Sequence, residues 1–129
     1  GDEGGGVPVF DPSVLAALPM VADGSQPDFA VQVLRQFVDS LPRYLSTIAD
    51  ALDHGDRPAL QRSLHTLKSS AAAVGAMALS RMAERAEASL RAGNPPAMDQ
   101  ARQMQKFIDA LALELGPIDT LSSTSIMAP

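Results

Sequence analysis

Two histidines, His54 and His65, carry the side chains best suited to chemistry near neutral pH, and their surroundings differ. His65 stands in Leu64-His65-Thr66-Leu67-Lys68-Ser69-Ser70-Ala71-Ala72-Ala73-Val74-Gly75-Ala76. A neutral imidazole keeps a lone pair on one ring nitrogen and is a competent nucleophile. Lys68, about one helical turn on, would attract phosphoryl oxygens and offset their charge as such a group passes across. His54 lies in His54-Gly55-Asp56-Arg57-Pro58, where glycine ends one helix and aspartate caps the next, and reads as a solvated turn residue. The two histidines lack the spacing of a helical metal pair, and no metal site is expected. The chain offers no glycine-rich phosphate loop and no second histidine placed as a base, so an independent enzyme is not expected.

The spacing around His65 decides where its ring points. Leu60, Leu64, Leu67, Ala71 and Val74 recur at intervals of four and three, the repeat of a buried helical stripe. At about 100° of rotation per residue, His65 lies roughly 140° from the centre of that stripe and should face solvent in mid-helix. Pro58, Gln61, Ser69 and Ala72 fall within about 40° of it, and Arg62 and Lys68 flank it at about 60° on either side. Small side chains at Ser69 and Ala72 leave room for another protein's surface, so Gln61, Ser69 and Ala72 are assigned to a docking face. Arg62 is a second candidate for drawing in phosphoryl oxygens. Gly75 terminates the helix, a structural role.

The rest of the chain must hold that helix. Residues 1–8 are glycine-rich and polar at their start, and read as a flexible linker or expression remnant. Asp11-Pro12 caps a short helix through Val14, Leu15 and Leu18 that ends before Pro19 and is expected to lid a bundle. Ser25 is a candidate cap for a long helix whose stripe runs through Ala30, Leu34, Phe37, Leu41, Leu45, Ile48 and Leu52. Pro42 predicts a kink there, with two separate helices as the alternative. After the His65 helix comes a stripe of Leu79, Met82, Ala83, Ala86 and Leu90, with Glu84, Arg85 and Glu87 among its polar positions. Gly93-Asn94-Pro95-Pro96 predicts a turn, a cap and a proline start for a last helix through Ala101, Met104, Ile108, Leu111 and Leu115, closed by Gly116-Pro117. The methionines read as core filler. Residues 117–129 lack periodicity and are expected to be a flexible tail.

Four amphipathic helices with short connections predict an all-α, antiparallel up-down-up-down four-helix bundle over residues 9–116, with a short additional N-terminal helix. The composition agrees: 46% of the 129 residues are hydrophobic but only 4% aromatic, and alanine and leucine dominate over β-branched runs. A net charge of -5 without a basic run argues against nucleic acid or an anionic membrane as partner. The absence of cysteine excludes disulfides and thiolate metal sites and suits a reducing compartment. No apolar run approaches a membrane span and no stretch has the layout of a signal peptide, so the domain is expected in the cytoplasm, without direct membrane contact.

His65-Thr66-Leu67-Lys68-Ser69 followed by Gly75-Ala76 resembles the signature of histidine-containing phosphotransfer (HPt) domains: a histidine, a lysine three residues on, a small residue, then Gly-Ala. The family's usual glycine after the lysine is Ser69 here, and a serine often found two positions later is Ala71, so any hydrogen bond from that hydroxyl is lost. The resemblance spans roughly Asp11 to Leu115. It implies a four-helix bundle that accepts a phosphoryl group on His65 from one receiver-domain aspartate and passes it to another. It also implies a receiver-domain partner that supplies its own Mg, with no cofactor held by this chain. The glycine-rich leader suggests the C-terminal module of a bacterial hybrid sensor histidine kinase, itself not autonomously catalytic and monomeric when isolated.

Two other readings fit parts of the pattern. A helical protein-interaction module would explain the bundle but would leave the spacing of His65, Lys68 and Gly75-Ala76 without a cause. A phosphoacceptor and dimerisation domain of a histidine kinase usually has an acid after its histidine and a proline a few residues later, which Thr66 and the alanine run do not match.

Overall fold

In the computed structural model, which describes residues 6–127, most helices start and stop for a local reason, and every regular element among the described residues is helical. Helix α1 (Pro12–Ala16) opens on Asp11, whose side chain accepts from the Ser13 amide at 3.0 Å. The proline that follows α1 begins a further single turn, α2 (Pro19–Ala22), because proline is at ease in a first helical turn. Ser25 does not cap the next helix. Its amide instead bonds the Asp23 carboxylate at 2.8 Å in the intervening turn, and α3 (Phe29–His54) starts later, with Asp28 at the cap position.

Helix α3 runs unbroken through Pro42, so the alternative of two helices does not form. An interior proline costs about 3 kcal/mol. Burial of Leu34, Phe37 and Leu41 before it, and of Ile48 and Leu52 after it, offsets that cost at about 1.5–3 kcal/mol per large side chain. Gly55 ends α3 in the left-handed region at φ 65°. Asp56 then caps α4 (Arg57–Val74), accepting from the Ala59 amide at 3.1 Å. The predicted stripe of Leu60, Leu64, Leu67, Ala71 and Val74 is buried throughout.

Gly75 closes α4 at φ 89°, and only Ala76 separates it from α5 (Met77–Arg91). The last long helix, α6 (Gln100–Leu115), begins beyond Pro95-Pro96. The predicted cap and proline start at Asn94 are therefore not used. Those residues bridge α5 and α6, and Asp99 stands at the cap position.

Helix α4 packs against α3 and α5, and α6 packs against the same two helices, which closes a four-membered arrangement around one core. Leu34, Ile48, Leu64, Leu67, Leu79, Met104 and Leu111 are almost wholly enclosed there. Of the methionines, Met82 and Met104 are core filler, whereas Met98 is exposed, against expectation. The segment before α1 is tied to the end of α4, where the Asp11 amide donates to the Gly75 carbonyl at 2.8 Å. The linker predicted at residues 1–8 lies largely outside the described residues, and Phe10 just after it is buried.

The expectation of a loose tail over residues 117–129 is corrected for residues 117–127, the last two lying outside the described residues. A 3-10 turn (Ile118–Thr120) and helix α7 (Ser123–Met127) follow α6, and Leu121 and Ile126 are buried in the core. Helix α7 packs on α1 and α3. Two apolar residues spaced by less than two turns are too few to register as a stripe, yet they cover an open patch of the bundle.

Candidate functional site

Two helices build the site. Helix α4 carries Gln61, Arg62, His65 and Lys68, and α5 carries Glu87 and Arg91. They are held in register by their packing and by Ser80 on α5, whose hydroxyl donates to the Lys68 backbone carbonyl at 2.9 Å. Helix α3 braces the other flank of α4 through a 3.1 Å hydrogen bond between the Tyr44 and Ser70 hydroxyls.

Glu87 is the hub. Its side chain is only 3% exposed, and one oxygen, Oε2, accepts from His65 Nδ1 at 2.9 Å and from Arg91 Nη2 at 2.9 Å. The other oxygen, Oε1, accepts from Lys68 Nζ at 3.0 Å. Burial pushes the carboxyl's pKa up, but the bonds from Lys68 and His65 and the charge of Arg91 outweigh it and hold the pKa below the ordinary glutamate value. The group is therefore an anion at neutral pH. A carboxylate can only accept, so Nδ1 of His65 carries the hydrogen, and in the neutral ring Nε2 carries the lone pair.

The imidazole side chain is 56% exposed, as its position opposite the stripe predicts. It opens on a shallow depression of about 440 Å³ lined by Pro58, Gln61, Arg62, Thr66, Glu87 and Arg91 as well as the ring. Arg62 is exposed and its side chain has no hydrogen-bond or ion-pair partner among the described residues. Lys68 is half-buried on the other oxygen of Glu87 and does not line the depression. Ser69 is exposed and Ala72 half-buried further along α4, both outside the depression. The sequence thus brings Gln61, Arg62 and His65 together, sets Lys68 behind them, and leaves Ser69 and Ala72 as a separate stretch of the same helix.

Gly75 does more than end α4. A Cβ there would collide with the backbone carbonyl of Asp11, so the close approach of the N-terminal segment needs glycine as much as the left-handed φ does. His54 is exposed at the end of α3, its Nδ1 2.8 Å from the Asp50 carbonyl, as a turn residue should be.

Glu87 and Arg91 are not among the residues that the sequence singles out. Glu87 stands among the polar positions of the α5 pattern, but it follows Ala83 by four and precedes Leu90 by three, the spacing of the buried stripe. An acid at a buried stripe position must find cations, and that was the available signal. Among the described residues no group of three His, Cys, Asp or Glu side chains could hold a metal ion.

A family model for the Hpt domain matches residues 32–114. The chain belongs to the Hpt domain family. No curated protein and no solved structure gives a significant match to the chain. Hpt domains are helical modules of histidine phosphotransfer in phosphorelay, two-component signalling, and they interact with response-regulator receiver domains without catalysing on their own. In this Hpt domain the matched region contains α4, α5 and almost all of α3 and α6, and hence every residue bonded to Glu87. Among the described residues, no helix is long and apolar enough to cross a membrane.

Proposed function

We propose that His65 is the phosphoryl acceptor and that Nε2 is the atom modified, in a relay that takes the group from one receiver-domain aspartate and delivers it to another. The observation that carries this reading is the bond from His65 Nδ1 to the buried Glu87 carboxylate, on a ring that is otherwise open to a partner. In the forward step the Nε2 lone pair attacks phosphorus of the partner's aspartyl phosphate in line with the leaving oxygen. The N–P bond forms as the P–O bond breaks, and the aspartate carboxylate leaves with the electron pair. The Nδ1 hydrogen stays on the ring, which becomes cationic beside Glu87. Mount and acceptor are thus one rigid unit, and positioning supplies much of the rate.

Lys68 keeps ammonium hydrogens to spare after its bond to Glu87, and Arg62 is unpaired among the described residues, so both are assigned to drawing in phosphoryl oxygens. Gln61, Ser69 and Ala72 form the docking face. The receiver domain brings the Mg that its own aspartate chemistry requires, and this domain needs no cofactor. The parent is a hybrid sensor histidine kinase in the cytoplasm or facing it, and the isolated module is a monomer. The test is phosphotransfer from phosphorylated receiver domains: wild type should acquire an acid-labile phosphohistidine, and His65→Gln should acquire none. Label on His65→Gln equal to wild type would refute the assignment.

A further inference from the structure

Helix α4 contains Arg57, Arg62 and Lys68 and no acid, in a chain of net charge -5. Its partner α5 ends on Arg91, whose side chain is 58% exposed, twice as open as that of Lys68 at 27%. Arg91 and His65 donate to the same oxygen of Glu87, so the guanidinium stands within two hydrogen-bond lengths of the ring. Arg91 and Arg62 also line the depression onto which the ring opens, whereas Lys68 does not. A guanidinium has five N–H donors in a planar fork, and the bond to Glu87 occupies one nitrogen, so the remainder can meet a phosphoryl group without releasing Glu87.

We propose that Arg91 on α5 is the cation that first grips the phosphoryl group arriving at His65, with Lys68 placed behind it. The inference rests on His65 being the acceptor. As Nε2 bonds to phosphorus and the leaving group departs with its electron pair, the phosphoryl oxygens stay anionic, and the fork of Arg91 holds them in the geometry it already has. Arginine suits this task because its donors are preorganised and its charge is permanent. Arg62 faces the same space from the other helix, so the incoming group passes between two guanidinium ions.

The test uses phosphoramidate as donor, which needs no cognate protein, and counts phosphohistidine by ³¹P NMR. In parallel, ¹⁵N NMR reads which nitrogen of His65 carries hydrogen. Arg91→Ala is expected to slow formation of phosphohistidine roughly tenfold, to leave the Nδ1–H form intact, and to leave the helical circular dichroism unchanged. Arg91→Lys is expected to recover part of the rate, and Lys68→Ala to slow it less than Arg91→Ala. A wild-type rate in Arg91→Ala overturns the inference while the acceptor assignment stands. A slow rate accompanied by loss of the Nδ1–H form also overturns it, because Arg91 would then act only through Glu87. If His65→Gln takes up phosphoryl like wild type, the acceptor assignment falls and this inference with it.

Discussion

His65 on α4 and Glu87 on α5 meet at 2.9 Å between Nδ1 and Oε2, and this contact gives the two ring nitrogens different jobs. One nitrogen is committed to the protein and the other is left for a partner.

The consequence is testable through Glu87→Ala. Removing the acceptor lets the imidazole shift toward the Nε2–H form, which has no lone pair at the reacting atom. We expect slower phosphohistidine formation, a changed ¹⁵N signature at His65, and a loss of about 1–3 kcal/mol in stability as the charge-assisted bonds disappear. Phosphohistidine counted by ³¹P NMR, the ¹⁵N spectrum and denaturant unfolding measure the three effects separately.

The same carboxylate predicts a pH dependence of stability. Its pKa is lowered in the folded state, so the stabilisation is fully present above the ordinary glutamate value of 4.5 and is lost as pH falls through the folded value. The stability difference between wild type and Glu87→Gln should be largest near neutral pH and should shrink below pH 4.5. A difference that stays constant from neutral to acid pH would contradict this.

Gly75→Ala should cost about 1–3 kcal/mol, because alanine is strained at φ 89° and its Cβ meets the Asp11 carbonyl. The bond from the Asp11 amide to the Gly75 carbonyl should weaken with it, visible as faster amide exchange at Asp11. Phosphoryl acceptance by His65, more than two turns away, should survive.

Ile126→Ala should destabilise the domain by about 2 kcal/mol, the low end of the range for emptying a buried aliphatic site. Thermal unfolding checks this, since a loose tail would leave the midpoint unmoved.

Ala72→Trp separates docking from chemistry. Transfer from a receiver domain should fall, whereas uptake from phosphoramidate should match wild type, because Ala72 lies outside the depression beside His65. Equal transfer from the receiver would remove Ala72 from the docking face.

What could be read in advance was whatever depends on one helix at a time. The exposure of His65 followed from the stripe of Leu60, Leu64, Leu67, Ala71 and Val74, which is local and periodic, and all five are buried. Capping by Asp11 and Asp56 was legible for the same reason. Glu87 was not, because two of its three partners, His65 and Lys68, stand on another helix and a polar residue defaults to solvent when its partners are unknown. The start of α3 was misjudged at Ser25, whose amide is taken by Asp23 in a turn that competes with capping. The packing of Leu121 and Ile126 depended on a gap in the bundle that no linear pattern displays.

Arg57, at the first turn of α4, donates to the backbone carbonyls of Leu90 at 3.0 Å and Asn94 at 3.1 Å, at and beyond the end of α5. The start of one helix thereby clasps the finish of the other, on either side of Arg91. Fraying of that last turn would let the guanidinium wander while the imidazole stayed put. The placement of Arg91 beside the imidazole is thus maintained in part from about two turns away, by a residue at the opening of α4.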